Sequence, residues 1–252
     1  MRFWPRSRRT TIPLVRLAGA IGMASPLRPG LSAAAVETAL TKAFAIDAPC
    51  VALAINSPGG SPAQSSLITS RIRQLAEEKE RPVIGFVEDV AASGGYWLAM
   101  AADEIFADAT SIVGSIGVIS ASFGFTELLE KVGVERRVHT AGTSKSILDP
   151  FRPEQEKDVA ILRAVQDDIH AAFVDIVKSR RGERLADDPD IFSGRFWSGT
   201  SALGLGLIDG IGSPRQIYFW YKAKVHFFFW PVVRSETGAC FFVHFFGQPG
   251  EL

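Results

Sequence analysis

The chain has 252 residues, 47% of them hydrophobic, enough apolar surface for a full α/β core. Lysine plus arginine and aspartate plus glutamate stand at 27 each, so no net field draws the protein toward nucleic acid. Two cysteines, Cys50 and Cys240, provide neither a disulfide framework nor a cysteine-built zinc site, and Cys50, inside an apolar run, reads as a small core residue.

Residues 1–11 form a basic extension carrying Arg2, Arg6, Arg8 and Arg9. The apolar stretch that follows is broken by Pro13 and Arg16, and it falls short of the roughly 20 residues a spanning helix needs. It reads instead as a first strand over Leu14–Leu17 ending in a glycine turn. With no other spanning segment, the expected location is cytoplasmic or peripheral to a membrane. Val36–Phe44 has helical spacing. Cys50–Ile55 is an apolar run of strand length, closed by the turn cluster Asn56-Ser-Pro-Gly-Gly-Ser61. Pro62 suits the first turn of a helix whose apolar face is Leu67, Ile68, Ile72 and Leu75, and Pro82 ends it.

Val83–Val87 predicts a second buried strand, followed by Ser93-Gly-Gly95 and a short apolar helix over Tyr96–Ala102. Ile105–Ala107 predicts a third strand, and Ile112–Ile119 is a glycine-studded segment. A short helix (Thr126–Val132), a strand (Glu135–His139) and a long helix (Pro153–Arg181) come next. In the last of these, Leu162, Val165, Ile169, Phe173 and Ile176 make a core-facing stripe. Nearly all-apolar strands alternating with helices imply an α/β fold with a mainly parallel sheet covered on both faces. The domain is expected over residues 12–213. Residues 214–252 form an aromatic-rich tail, with Phe227–Trp230 and Phe241–Phe246, that suits an oligomer contact or a peripheral membrane patch.

Ser93 follows a strand and opens a helix, the setting in which a serine hydroxyl is presented as a nucleophile. Gly94 and Gly95 would give a substrate backbone room to approach. The glycines of Asn56-Ser-Pro-Gly-Gly60 can aim backbone N–H groups at one spot, as an oxyanion hole or anion nest, and the segment lacks the Gly-Lys-Ser/Thr ending of a phosphate loop. For a base, Lys145 lies in a loop of small residues, Ala141-Gly-Thr-Ser-Lys-Ser146, without an adjacent acid. A lysine serves as base when burial brings its pKa from about 10.4 toward neutrality. His139 with Asp149 is a second way to complete a serine triad.

The series Asn56-Ser-Pro-Gly-Gly-Ser61, Ala92-Ser-Gly-Gly-Tyr96, Gly114-Ser-Ile-Gly-Val118 and Lys145 resembles the signal peptide peptidase A (protease IV) family in order and spacing. Phe192-Ser-Gly-Arg-Phe-Trp-Ser198 and Gly206-Leu-Ile-Asp-Gly210 resemble its closing motifs. The resemblance implies a Clp/crotonase-like fold and a serine peptidase that works by a Ser-Lys dyad without cofactor or metal. By position, Ser93 corresponds to the nucleophile and Lys145 to the base. Gly59 and Gly94 correspond to the oxyanion donors, and Ser115 to a serine that orients the lysine. It further implies peptide substrates such as cleaved signal peptides, and the homo-oligomer of the short, single-domain relatives, with Ser and Lys coming from neighbouring subunits. The rival readings are a hydratase or thioesterase of the crotonase type, using Glu88 and Asp89, and a non-catalytic assembly or membrane-scaffold protein.

Overall fold

The structure is a computed structural model that describes residues 10–22 and 30–213, with the backbone alone of 240–245. The chain divides into two compact units: Met1–Gly117 with Val174–Leu252, and Val118–Phe173.

In the first unit, strand β1 (Thr10–Ala18) leads to helix α1 (Ala33–Ala45), whose N-cap Ser32 accepts a hydrogen bond from the Ala35 N–H. Strand β2 (Val51–Ser57) and helix α2 (Pro62–Glu78) follow. Ser61 caps α2 and Pro62 fills its first turn, where a missing N–H costs nothing. Then come β3 (Val83–Ala92), the short helix α3 (Gly94–Ala99), β4 (Glu104–Ala107) and β5 (Ile112–Gly114). In the second unit the short helix α4 (Thr126–Lys131) precedes α5 (Glu156–Arg181), which continues into the first unit. Strand β6 (Phe196–Ser198), helix α6 (Gly199–Gly204), β7 (Gly210–Ile211) and β8 (Cys240–Phe245) complete the described elements.

The sheet order is β6-β5-β3-β2-β1-β8, with β4 pairing with β3 and β7 off this path. The pairs among β1 to β5 and β7 are parallel, while β6 and β8 join antiparallel. Because side chains alternate across a strand, one face presents Leu14, Ala52, Ala54, Ile84 and Phe86 as an apolar cluster, with Phe106 stacked on Phe86 at 5.8 Å. The alternate residues Val15, Leu17, Leu53, Ile55, Val83 and Val87 are also buried. Helix α2 packs on both α1 and α3, α1 against β1 and α3 against β2 and β3. Strands buried on both faces are why these segments read as continuous apolar runs.

Strand β3 serves two partners in succession. Ile84–Val87 pairs with β4 and Val90–Ala92 with β5, and its register against β2 jumps from Ile55↔Val87 to Ser57↔Ala91. The two extra residues fall at the irregularity, where Glu88 and Asp89 leave the core.

Two expectations are corrected here. Glu135–His139 is not a strand: those residues are irregular and almost entirely exposed, with no described strand alongside to pair with them, so water satisfies their backbone groups as well as a ladder would. The stripe on α5 is buried only at Phe173, and four residues on at Val177. Leu162, Ile169 and Ile176 are partly exposed, and Val165 is 51% exposed. The glycine-studded segment is a strand only over Ile112–Gly114. The basic extension before Thr10 and most of the aromatic tail lie outside the described residues.

Ion pairs fasten the end of α5 in the first unit. Arg181, 3% exposed, makes a bidentate pair with Asp209 at 2.8 and 3.0 Å and donates to the Gly206 carbonyl. Asp209 also accepts from Arg184 and from the Ile105 N–H of β4. Nearby, the buried Tyr96 hydroxyl of α3 donates to the Leu207 carbonyl at 2.7 Å. Arg180 and Arg73 meet on Asp103, which receives the Val83 N–H at the start of β3.

Candidate active site

Ser93 sits between the end of β3 and the start of α3 with φ 52° and ψ −125°, a backbone conformation that a residue with a Cβ rarely holds. Such strain persists only where the surroundings fix it, and here they do. The Ser93 N–H donates to the Gly114 carbonyl of β5 at 2.8 Å, and the Ser93 carbonyl accepts from Tyr96 N–H at 2.8 Å and Trp97 N–H at 3.1 Å. Every residue of α3 is buried. The Ser93 side chain makes no capping bond, and among the described residues its hydroxyl has no hydrogen-bond partner. A sharp, strained strand-to-helix turn with an uncommitted serine hydroxyl is the arrangement that exposes a nucleophile.

A second turn lies against the first. Ser57-Pro58-Gly59-Gly60 leaves β2 with Gly59 at φ 104° and Gly60 at φ 143°, both in the region that favours glycine. A Cβ on Gly59 would stand 2.9 Å from Ser93 Cβ and from Gly94 N, so the two candidate donor peptides are neighbours. The structure thereby brings together Ser93, Gly59 and Gly94. It also adds Ser115, next to the Gly114 carbonyl that holds Ser93 and itself at φ 56°, with its N–H on the Arg195 carbonyl at 2.7 Å.

The glycines after Ser93 have a different reason from the one their sequence suggests. A Cβ on Gly95 would fall 2.2 Å from the Ser57 carbonyl, and one on Gly94 would fall 2.5 Å from Ser65 Oγ. Close packing of the two turns and of α2, rather than room for a substrate, requires them. Ser57 and Ser65, both fully buried, are the residues sequence reading missed. Their signal was faint: a serine closing an apolar strand and one on the inner side of an amphipathic helix.

Lys145 belongs to the second unit, in a run of turns, and is exposed, with its N–H on the Gly142 carbonyl at 3.3 Å. The loop of small residues is as the sequence suggests, but no strand directly precedes it and the lysine is not buried within the single chain. In the same unit Asp149 is committed to Arg136 at 3.0 Å, to the Phe151 N–H at 3.1 Å and to Arg152 at 3.9 Å. Its pKa is held below the usual carboxylate value, first by the Phe151 N–H and, against some desolvation, by the arginines. It makes no hydrogen bond to His139 among the described residues. Glu88 and Asp89, the residues a hydratase would need, are occupied by Arg16 and by Asn56 respectively. Among the described residues no cluster of His, Cys, Asp and Glu is arranged to hold a metal, and no helix is long and apolar enough to cross a membrane.

A mainly parallel sheet flanked by helices, with this turn at the end of a central strand, defines an α/β protein of the Clp/crotonase-like class. Residues 75–227 match the peptidase family S49. A protein of Synechocystis sp. that carries a protease name is 34% identical over 219 residues, 86% of this chain and 76% of that protein. The chloroplastic serine protease SPPA of Arabidopsis thaliana is 32% identical over 224 residues, 86% of this chain and 33% of that protein. The chain belongs to peptidase family S49. It is also 60% identical over 213 residues to a Brucella abortus protein named Na(+)/H(+) antiporter NhaA, which covers 84% of this chain but 29% of that longer protein. The transport in that name is said of the longer protein, of which the chain spans less than a third.

Proposed function

We propose that the protein is a serine endopeptidase in which Ser93 is the nucleophile and Lys145 the general base. The observation that carries this reading is the strained backbone of Ser93 with its uncommitted hydroxyl, packed against the Gly59 turn. Neutral Lys145 Nζ takes the Ser93 proton as Oγ attacks a peptide carbonyl. The N–H groups of Gly59 and Gly94 hold the oxyanion, and Ser115 orients the amine. The lysine then gives its proton to the leaving amine, and a water molecule, activated in turn, hydrolyses the acyl-enzyme. Electrostatic stabilisation by one such donor is worth roughly a hundred- to a thousandfold in rate.

A lysine accepts a proton only when neutral, and removal from water favours the neutral form. Lys145 is exposed in the single chain, and the same unit exposes Ile119 (87%), Phe123 (79%), Val132 (60%), Val134 (54%) and Leu128 (53%). This combination supports a homo-oligomer that covers the apolar residues and desolvates the lysine, with Ser93 of one copy meeting Lys145 of a neighbour. Short, apolar, extended chains, cleaved signal peptides among them, are the proposed substrates.

The test is incubation with a fluorophosphonate followed by mass mapping, alongside peptide hydrolysis by Ser93→Ala and Lys145→Ala. Labelling at Ser93 and loss of hydrolysis in both variants are expected. Mixing the two inactive variants should regenerate activity if the residues come from different copies. Labelling elsewhere, or full activity in Lys145→Ala, overturns the assignment.

A further inference from the structure

We propose that Ser57 is a positioning residue for the oxyanion site: its hydroxyl sets the direction of the Gly59 N–H. This rests on the reading of Gly59 as an oxyanion donor. Ser57 closes β2, is fully buried, and is the junction of a short chain of hydrogen bonds. The Gly19 N–H donates to the Asn56 carbonyl at 2.9 Å, the Ser57 hydroxyl donates to the Gly19 carbonyl at 2.7 Å, and the Gly59 N–H donates to Ser57 Oγ at 3.2 Å.

A hydroxyl has one proton, and here it is spent on Gly19, which leaves only lone pairs facing Gly59. The other side of Gly59 is anchored independently, its carbonyl accepting the Ile21 N–H at 2.9 Å, while the Ser61 N–H donates to the Ile21 carbonyl at 2.9 Å. Two glycines at positive φ, Gly59 and Gly60, have wide conformational freedom, so the turn depends on these tethers for its shape. The lengths also differ in a useful way. The bond to Gly19 has the usual O–H···O length, whereas the bond from Gly59 lies at the long end of the N–H···O range. A developing oxyanion forms shorter and roughly twice stronger charge-assisted bonds than a neutral hydroxyl. The Gly59 peptide is therefore held in one orientation by a neutral acceptor weaker than the oxyanion it would meet.

The experiment compares wild type with Ser57→Ala and with Ser57→Cys, which keeps the side-chain shape with a larger atom at the tip and weakens both bonds. Readouts are kcat, KM and the affinity for a peptide aldehyde, whose adduct with a serine hydroxyl carries a tetrahedral oxygen in the oxyanion position. Thermal melting establishes that each variant is folded. The expected result is a fall in kcat of about tenfold or more with KM within about twofold, and a parallel weakening of the aldehyde. Unchanged kcat and aldehyde affinity in a folded variant would overturn the inference. So would a rise in kcat, since Ser57 would then be withholding the donor. Hydrolysis that survives in Ser93→Ala would instead bring down the peptidase reading itself, and the role of Ser57 with it.

Discussion

Replacing Gly59 with alanine adds one methyl group where two turns already touch. The new Cβ would lie 2.9 Å from Gly94 N and from Ser93 Cβ and 3.0 Å from the Ala92 carbonyl, against the 3.4 Å at which ordinary contact begins. The turns must part by about 0.5 Å, which is the tolerance within which a catalytic constellation has to be held. Gly59 also sits at φ 104°, where a Cβ costs about 1–3 kcal/mol. We expect kcat to fall roughly a hundredfold, the scale set by losing or misplacing one oxyanion donor. KM should change little, because the donor acts on charge that appears only in the transition state. The strain should lower the melting temperature by about 2–12 °C, at 2–4 °C per kcal/mol for a domain of this size. Gly182→Ala is the control: Gly182 has φ 54° and open space around its missing Cβ, so it carries backbone strain without a collision. The assay is steady-state peptide hydrolysis beside thermal melting. A Gly59→Ala enzyme with kcat within threefold of wild type would refute the placement of this turn in the chemistry.

Asp209→Ala leaves the Arg181 guanidinium buried without its carboxylate, and breaking such a pair costs about 3–5 kcal/mol. Urea unfolding checks this, and a loss below about 1 kcal/mol would mean that the site relaxes or admits water. Burial favours the neutral acid at both Asp209 and Asp103. Hydrogen bonds from backbone N–H groups and arginines, with the arginine charges, outweigh it and hold both carboxyls below their ordinary pKa. The unfolded chain, where an aspartate titrates near 3.9, therefore takes up protons first as the pH falls. Stability should be at its full value above about pH 5 and decline through and below pH 4, more shallowly in Asp209→Ala when followed by urea midpoints. Burial pushes the Cys50 thiol up to about 11. In a Cys240→Ser background, Cys50 should resist a thiol reagent at pH 8 until denaturant is added, and rapid labelling of the native protein would contradict its placement in the sheet.

Much of the first unit was legible because its signals are local. Pro62 after Ser61 marked the start of α2 at the observed residue, and the apolar runs beginning at Cys50 and Val83 became β2 and β3. The strand expected over Leu14–Leu17 proved longer at both ends, since β2 supplies a parallel neighbour as far as Ala18 and β8 an antiparallel one from Thr10. The second unit was read less well. Val134, Val138 and their neighbours have strand-like composition but no strand partner among the described residues, and α5 carries a regular stripe whose first half no described residue fully buries. Periodicity reports that a face is apolar and does not report what covers it.

By itself the sequence determined the alternation of strands and helices, the parallel class of the sheet and the position of Ser93, because hydrophobic period, proline and glycine act over a few residues. Only the tertiary structure decided that Gly94 and Gly95 answer to Ser57 and Ser65, that Ser57 braces Gly59, and that Arg181 is neutralised by Asp209. Apart from the local Ser57–Gly59 bond, those contacts join segments about thirty residues apart. They follow from which strands lie side by side, and a local pattern of residues carries no information about that.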